Sequence, residues 1–102
     1  MKIDGFDWDN GNTQKNFIKH AITCEQIEEI FRNSPWVAPD IKHSSVEERF
    51  LAIGKIGNRY AFVAFALRIR ENKTLIRPIS ARHMHEKEVK KYEEEIAKNN
   101  NR

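Results

Sequence analysis

The sequence predicts an α+β fold: one domain over residues 1–102, with an antiparallel sheet, two N-terminal helices and one C-terminal helix. Two features carry the prediction. Residues 48–70 form two β-rich runs parted by Gly57-Asn58, the signature of a tight hairpin. Helical periodicity is confined to the first third of the chain and to the stretch after residue 84, so helices and strands are segregated along the chain.

Residues 3–8 alternate apolar and polar side chains and open the chain as a short strand. The turn-formers Asp9-Asn10-Gly11-Asn12 lead into a helix over residues 13–20, with Phe17 and Ile18 facing inward. Thr23-Cys24-Glu25-Gln26 is a capping box for a second helix. That helix places Cys24, Ile27, Ile30 and Phe31 on one stripe and its glutamates on the other side. Asn33-Ser34-Pro35 ends it, and Trp36-Val37-Ala38 forms a brief strand.

After a polar loop, residues 48–56 and 59–70 pair through Gly57-Asn58, a type II′ turn with glycine at its first central position. Residues 61, 63, 65, 67 and 69 line one face of the second strand and 60, 62, 64 and 66 the other, which marks it as central. A turn at Glu71-Asn72-Lys73 feeds a strand over residues 74–82. Pro78 cannot donate a ladder bond, so that strand is at an edge or bulged there. A helix from about residue 84 to residue 98 carries a narrow stripe of Val89, Tyr92 and Ile96.

Charge is unevenly placed. Residues 1–48 hold five basic and nine acidic side chains, a net −4, which leaves +7 of the total +3 for the remainder. Between Arg49 and Arg82 the basic residues are opposed only by Glu71. A basic sheet beside an acidic N-terminal half suits a domain that meets phosphates. A single cysteine excludes an internal disulfide and reads as a small apolar helix residue. No apolar run approaches the roughly 20 residues of a membrane span, and the expectation is a cytoplasmic protein without membrane contact.

No metal-ligand constellation is legible, since a lone His83-x-His85 at a strand-to-helix junction is ordinarily a surface feature. No glycine-rich phosphate loop is present, and the expectation is a protein without cofactor. Arginines, histidines and a tyrosine remain. This set suits RNA cleavage by 2′-hydroxyl attack, in which histidine moves protons and arginine's fixed fork of donors holds the developing negative charge.

Seven short stretches recur in order along the chain: Phe6-Asp7-Trp8-Asp9, Asn16-Phe17-Ile18-Lys19-His20, Glu28 through Phe31, Asp40-Ile41-Lys42-His43, Glu48-Arg49, Ile79-Ser80-Ala81-Arg82 and Glu88 with Tyr92. Together they resemble the BrnT family of small toxins. Two positions depart from that pattern: Ala21 stands where many members have glycine, and Glu48 directly precedes Arg49.

The resemblance implies a RelE-like fold and a metal-independent ribonuclease toxin. It also implies neutralisation by a BrnA-type ribbon-helix-helix antitoxin, through which DNA is contacted. Carried onto this sequence, Arg82 and Arg49 are expected to contact the scissile phosphate, with His43 or His83 exchanging protons. Lys19, His20, Arg59, Arg77 and Tyr92 are expected along the substrate path. Arg82 has a structural alternative, an ion pair with the last helix; Trp8 and Trp36 are expected to serve packing. The competing functional readings are a non-catalytic toxin-fold module that binds a partner, nucleic acid or gyrase, and a plain nucleic-acid-binding domain with salt-dependent affinity.

Overall fold

The computed structural model describes residues 3–13 and 21–100. In chain order the elements are β1 (Gly5–Phe6), α1 (Cys24–Arg32), β2 (Trp36–Pro39), a 3₁₀ turn (Ile41–His43), β3 (Phe50–Ile56), β4 (Arg59–Arg70), β5 (Lys73–His83) and α2 (Glu86–Asn100). Residues 10–13 are helical; the rest of the expected first helix, with Phe17 and Ile18, lies outside the described residues.

The five strands form one sheet in the order β1-β5-β4-β3-β2, which puts β4 at its centre as the two-sided apolar pattern implies. Four strands are antiparallel. β1 is not: it pairs parallel with β5, Gly5 beside Leu75 and Phe6 beside Ile76. The expectation of a wholly antiparallel sheet is corrected here. A parallel neighbour needs a crossover rather than a hairpin, and about two thirds of the chain separates these partners.

Local signals act as read. The Thr23 hydroxyl accepts the Gln26 amide at 3.1 Å, and the Gln26 side chain accepts the Thr23 amide at 2.9 Å, so both halves of the capping box are closed. Gly57 has φ +62°, the sign that the first central position of a type II′ turn demands. The next hairpin turns at Glu71 (φ 52°) and Asn72 (φ 65°), both left-handed as in a type I′ turn. Ala21, at the position where the family pattern carries glycine, is also left-handed at φ 54°.

One face of the sheet holds the core. Ile27 and Ile30 of α1 press onto Ala52, Ala61, Val63, Phe65, Ile76 and Ala81, with Phe6, Phe31 and Phe50 packed around them. The helix approaches β3 so closely that a Cβ on Gly54 would lie 2.6 Å from Ile30 Cγ2. The other face is only partly covered. There α2 rests on the sheet through Tyr92, whose ring meets Tyr60 at 5.3 Å and Trp36 at 6.2 Å. Trp36 thus packs as expected on one side and stays half exposed on the other.

β5 contains a bulge. Phe65 faces Pro78 but Ala64 faces Ser80, which leaves Ile79 without a partner in register. Pro78 lies beyond the two residues that pair with β1, so its missing N–H breaks no ladder bond there.

Candidate active site

A cleft of about 550 Å³ opens on the less covered sheet face. Its floor is Leu51, Phe62, Ala64 and Ser80, and its walls carry Asp40, Lys42, His43, Arg49, Arg82 and Glu88. Three separate stretches therefore meet: the 3₁₀ turn with the start of β3, the end of β5, and the first turn of α2.

The 3₁₀ turn brings His43 back onto Asp40, with Nδ1 at 3.0 Å and 3.2 Å from the two carboxylate oxygens. The aspartate fixes the orientation of the ring through Nδ1. Nε2 is then the nitrogen left for chemistry. The loop is tied by Ser44, whose hydroxyl donates to the Asp40 carbonyl at 2.6 Å and accepts the Arg49 amide at 3.0 Å. Arg49 is consequently seated beside the dyad. Among the described residues its guanidinium makes no ion pair.

Arg82 is held differently. Its Nη1 and Nη2 each donate to one oxygen of Glu88 at 2.8 Å, and Nη1 also donates to the His83 carbonyl at 3.2 Å. The guanidinium carbon lies 4.8 Å from the centre of the Phe62 ring. The expected alternative for Arg82, an ion pair with the last helix, is thus present within the cleft itself. The Arg82 contact, helped by the His85 amide at 2.8 Å, holds the Glu88 carboxyl down at about 2.

The other expected site residues are distributed less favourably. His83 follows Arg82 and pairs with Ala61, so strand alternation sets it on the core face, its Nδ1 buried. It is not among the residues that line the cleft, unlike Arg82 and His43. Arg77 is taken by acids: its Nη1 and Nη2 donate to Asp9 at 3.0 and 3.1 Å, and Asp7 Oδ2 lies 3.5 Å away. That arginine holds the Asp9 carboxyl below its usual range. The trio ties the chain after β1 to β5. Arg59 is exposed beside the β3–β4 hairpin and does not line the cleft. Tyr92 lines an adjoining apolar hollow of about 470 Å³ that shares Phe62 and Glu88 with it. Lys19 and His20 lie outside the described residues.

Sequence reasoning gave no site role to Asp40, Glu88 or Phe62, although the first two stand in the family pattern. Asp40 was recoverable, because Asp-x-x-His puts two side chains on one side of a single turn. Glu88 lies only six residues from Arg82, yet strand and helix geometry was needed to join them.

A slightly larger hollow, about 580 Å³, lies on the other face against Phe6, Phe31, Val37, Phe65 and Ile76. It brings only Asp4 and Arg32 as charged groups and no histidine, whereas the side chains suited to acid–base chemistry gather in the smaller cleft. Cys24 is no nucleophile candidate: burial and the neighbouring Glu25 and Glu28 push its thiol up, keeping it protonated. Among the described residues no three His, Cys, Asp or Glu side chains converge as metal ligands, and no helix is long and apolar enough to cross a membrane.

The model of BrnT, the ribonuclease toxin of type II toxin–antitoxin systems, matches residues 8–88. The chain belongs to this family. The matched span includes every wall of the cleft. Membership in the BrnT family implies RNA as the target and an antitoxin as the partner. A comparison with curated proteins finds no match.

Proposed function

We propose that this chain is a RelE-like, metal-independent endoribonuclease that cleaves RNA by attack of the 2′-hydroxyl on the neighbouring phosphorus. The observation that carries the reading is the meeting of an Asp40–His43 dyad with Arg49 and Arg82 around one open cleft. His43 Nε2 takes the proton of the 2′-hydroxyl as the O2′–P bond forms. Arg49 and Arg82 bind the phosphorane oxygens, where charge accumulates and fixed donors act most strongly. The P–O5′ bond then breaks, and the 5′-oxygen takes a proton from water in the open cleft. The products are a 2′,3′-cyclic phosphate and a 5′-hydroxyl.

In this reading the toxin acts in the cytoplasm and is neutralised by a BrnA-type ribbon-helix-helix antitoxin, the partner that contacts DNA. The test is cleavage of a defined single-stranded RNA by the purified protein in EDTA, alongside Arg82→Ala, Arg49→Ala and Asp40→Asn. Loss of about 10²–10³-fold in rate is expected for each arginine. A smaller loss is expected for Asp40→Asn, which leaves the imidazole in place without its carboxylate. Full cleavage after both arginines are removed would sink the assignment.

A further inference from the structure

We infer that Glu88 is a positioning residue of the toxin, holding Arg82 so that one edge of its guanidinium is presented to the scissile phosphate. The inference rests on the cleavage reading above and adds a residue to it. Arginine has five N–H donors. Three are committed: both on Nη1, to Glu88 and to the His83 carbonyl, and one on Nη2, to Glu88. The two that remain, on Nε and Nη2, lie side by side along one edge of the planar group. Such a parallel pair is the fork that grips two oxygens of a phosphate. Glu88 occupies the end of the guanidinium and leaves its side free, so substrate need not displace it.

Glu88 is itself anchored. It is the third residue of α2, and its Oε1 accepts the His85 amide at 2.8 Å, the reach-back bond of a helix start. Its charge is favoured there by the helix dipole. Phe62 lies across the face of the guanidinium at 4.8 Å. Arg82 is therefore restrained in position by Glu88, in tilt by Phe62 and in rotation by the His83 carbonyl. Among the described residues the Arg49 guanidinium has no such restraint. The two arginines divide the work: Arg82 is set before substrate arrives, and Arg49 adapts to it.

Single-turnover cleavage with enzyme in excess tests this on the full chain, using Glu88→Gln, Glu88→Ala, and Glu88→Ala combined with Arg82→Ala or with Arg49→Ala. Misplacing a reacting group by about an ångström costs about 10²-fold, so Glu88→Ala should lower the maximal rate by that order. The RNA concentration at half-saturation should move by less than about threefold, because phosphate binding elsewhere in the cleft persists. Glu88→Gln is close in size and keeps the fold if Glu88→Ala does not; it should lose about tenfold, since its amide nitrogen cannot accept from Arg82. In the Arg82→Ala background Glu88→Ala should have no further effect, whereas with Arg49→Ala the losses should multiply.

Equal losses from Glu88→Ala in all backgrounds would overturn the inference and leave a structural role. Faster cleavage by Glu88→Ala would overturn it in favour of competition between the carboxylate and the phosphate. Full cleavage by Glu88→Ala with loss in Arg82→Ala removes the inference alone. Full cleavage by Arg82→Ala removes the reading of the site and this inference with it.

Discussion

Replacing Gly54 by alanine should destabilise the fold without touching the cleft. The new Cβ would stand 2.6 Å from Ile30 Cγ2, and 3.4 Å from Ile30 Cβ and Cγ1. Ordinary contact begins near 3.4 Å, so either α1 retreats by most of an ångström or Ile30 leaves its rotamer. Ile30 is only 1% exposed and Ile27 beside it is fully buried, so neither has empty space to move into. Overpacking of this kind costs about 1–3 kcal/mol. Alanine recovers roughly 0.5–1 kcal/mol that glycine forfeits within a strand. A net loss of about 1–2 kcal/mol follows, read as a fall of about 4–15 °C in Tm at this chain length. Urea and thermal unfolding of the two proteins measure it. Ile30→Leu moves the branch away from Cβ, so in that background the same substitution should cost at least about 1 kcal/mol less, a coupling expected of side chains in direct contact. Cleavage per folded molecule should be unchanged, because α1 covers the sheet face opposite the cleft. A neutral Gly54→Ala, or an equal cost in both backgrounds, would refute the steric argument.

Two further outcomes follow from local geometry. Ala21 is held at φ 54°, a region costing roughly 1–2 kcal/mol for a residue with a Cβ. Ala21→Gly should therefore raise stability by about 0.5–1 kcal/mol once the looser unfolded chain is counted; a lower urea midpoint would contradict it. The second concerns acid. Glu88 has its carboxyl held at about 2 against an ordinary 4.5, so its stabilisation is complete above the unfolded value and fades as pH falls through that interval. Arg82 is 40% exposed, so water screens the pair and its worth at neutral pH is about 1 kcal/mol. Unfolding of wild type and Glu88→Gln should differ by this amount near pH 6 and converge by about pH 2. A gap that persists unchanged into acid would assign the difference to something other than this ion pair.

Much of the fold was legible because its signals are local. A capping box closes over four residues, a type II′ turn over two, and a two-sided apolar strand is recognised by alternation alone. The pairing of β1 was not legible, since Phe6 and Ile76 meet across about two thirds of the chain and parallel pairing leaves no turn between the partners. The same distance hid the capture of Arg77 by Asp9. The site was legible in kind but incomplete. His43, Arg49 and Arg82 were each marked by residue type and sequence motif, but whether Arg82 or His83 meets substrate depends on sheet register. Glu88 was named only with Tyr92 in the family pattern and not joined to Arg82, because a separation of six residues fits neither strand nor helix spacing; the junction between the two elements closes the gap.

The unpaired Ile79 sets a reading frame. Residues 77 and 82 are an odd number of positions apart and would point to opposite sides of an unbroken strand, yet they face Ala66 and Phe62, on the same side of β4. The bulge restores their common phase by looping the extra residue out of the ladder. Were β5 to run as a regular strand with Ile79 kept in the ladder, Arg82 would turn into the core against α1 and His83 would come out over the cleft. Deleting Ile79 would bring Pro78 and Ser80 together opposite Phe65 and Ala64 and leave Arg82 beside Phe62, so what β5 has to keep between Pro78 and Arg82 is the phase of its two ends and not its length.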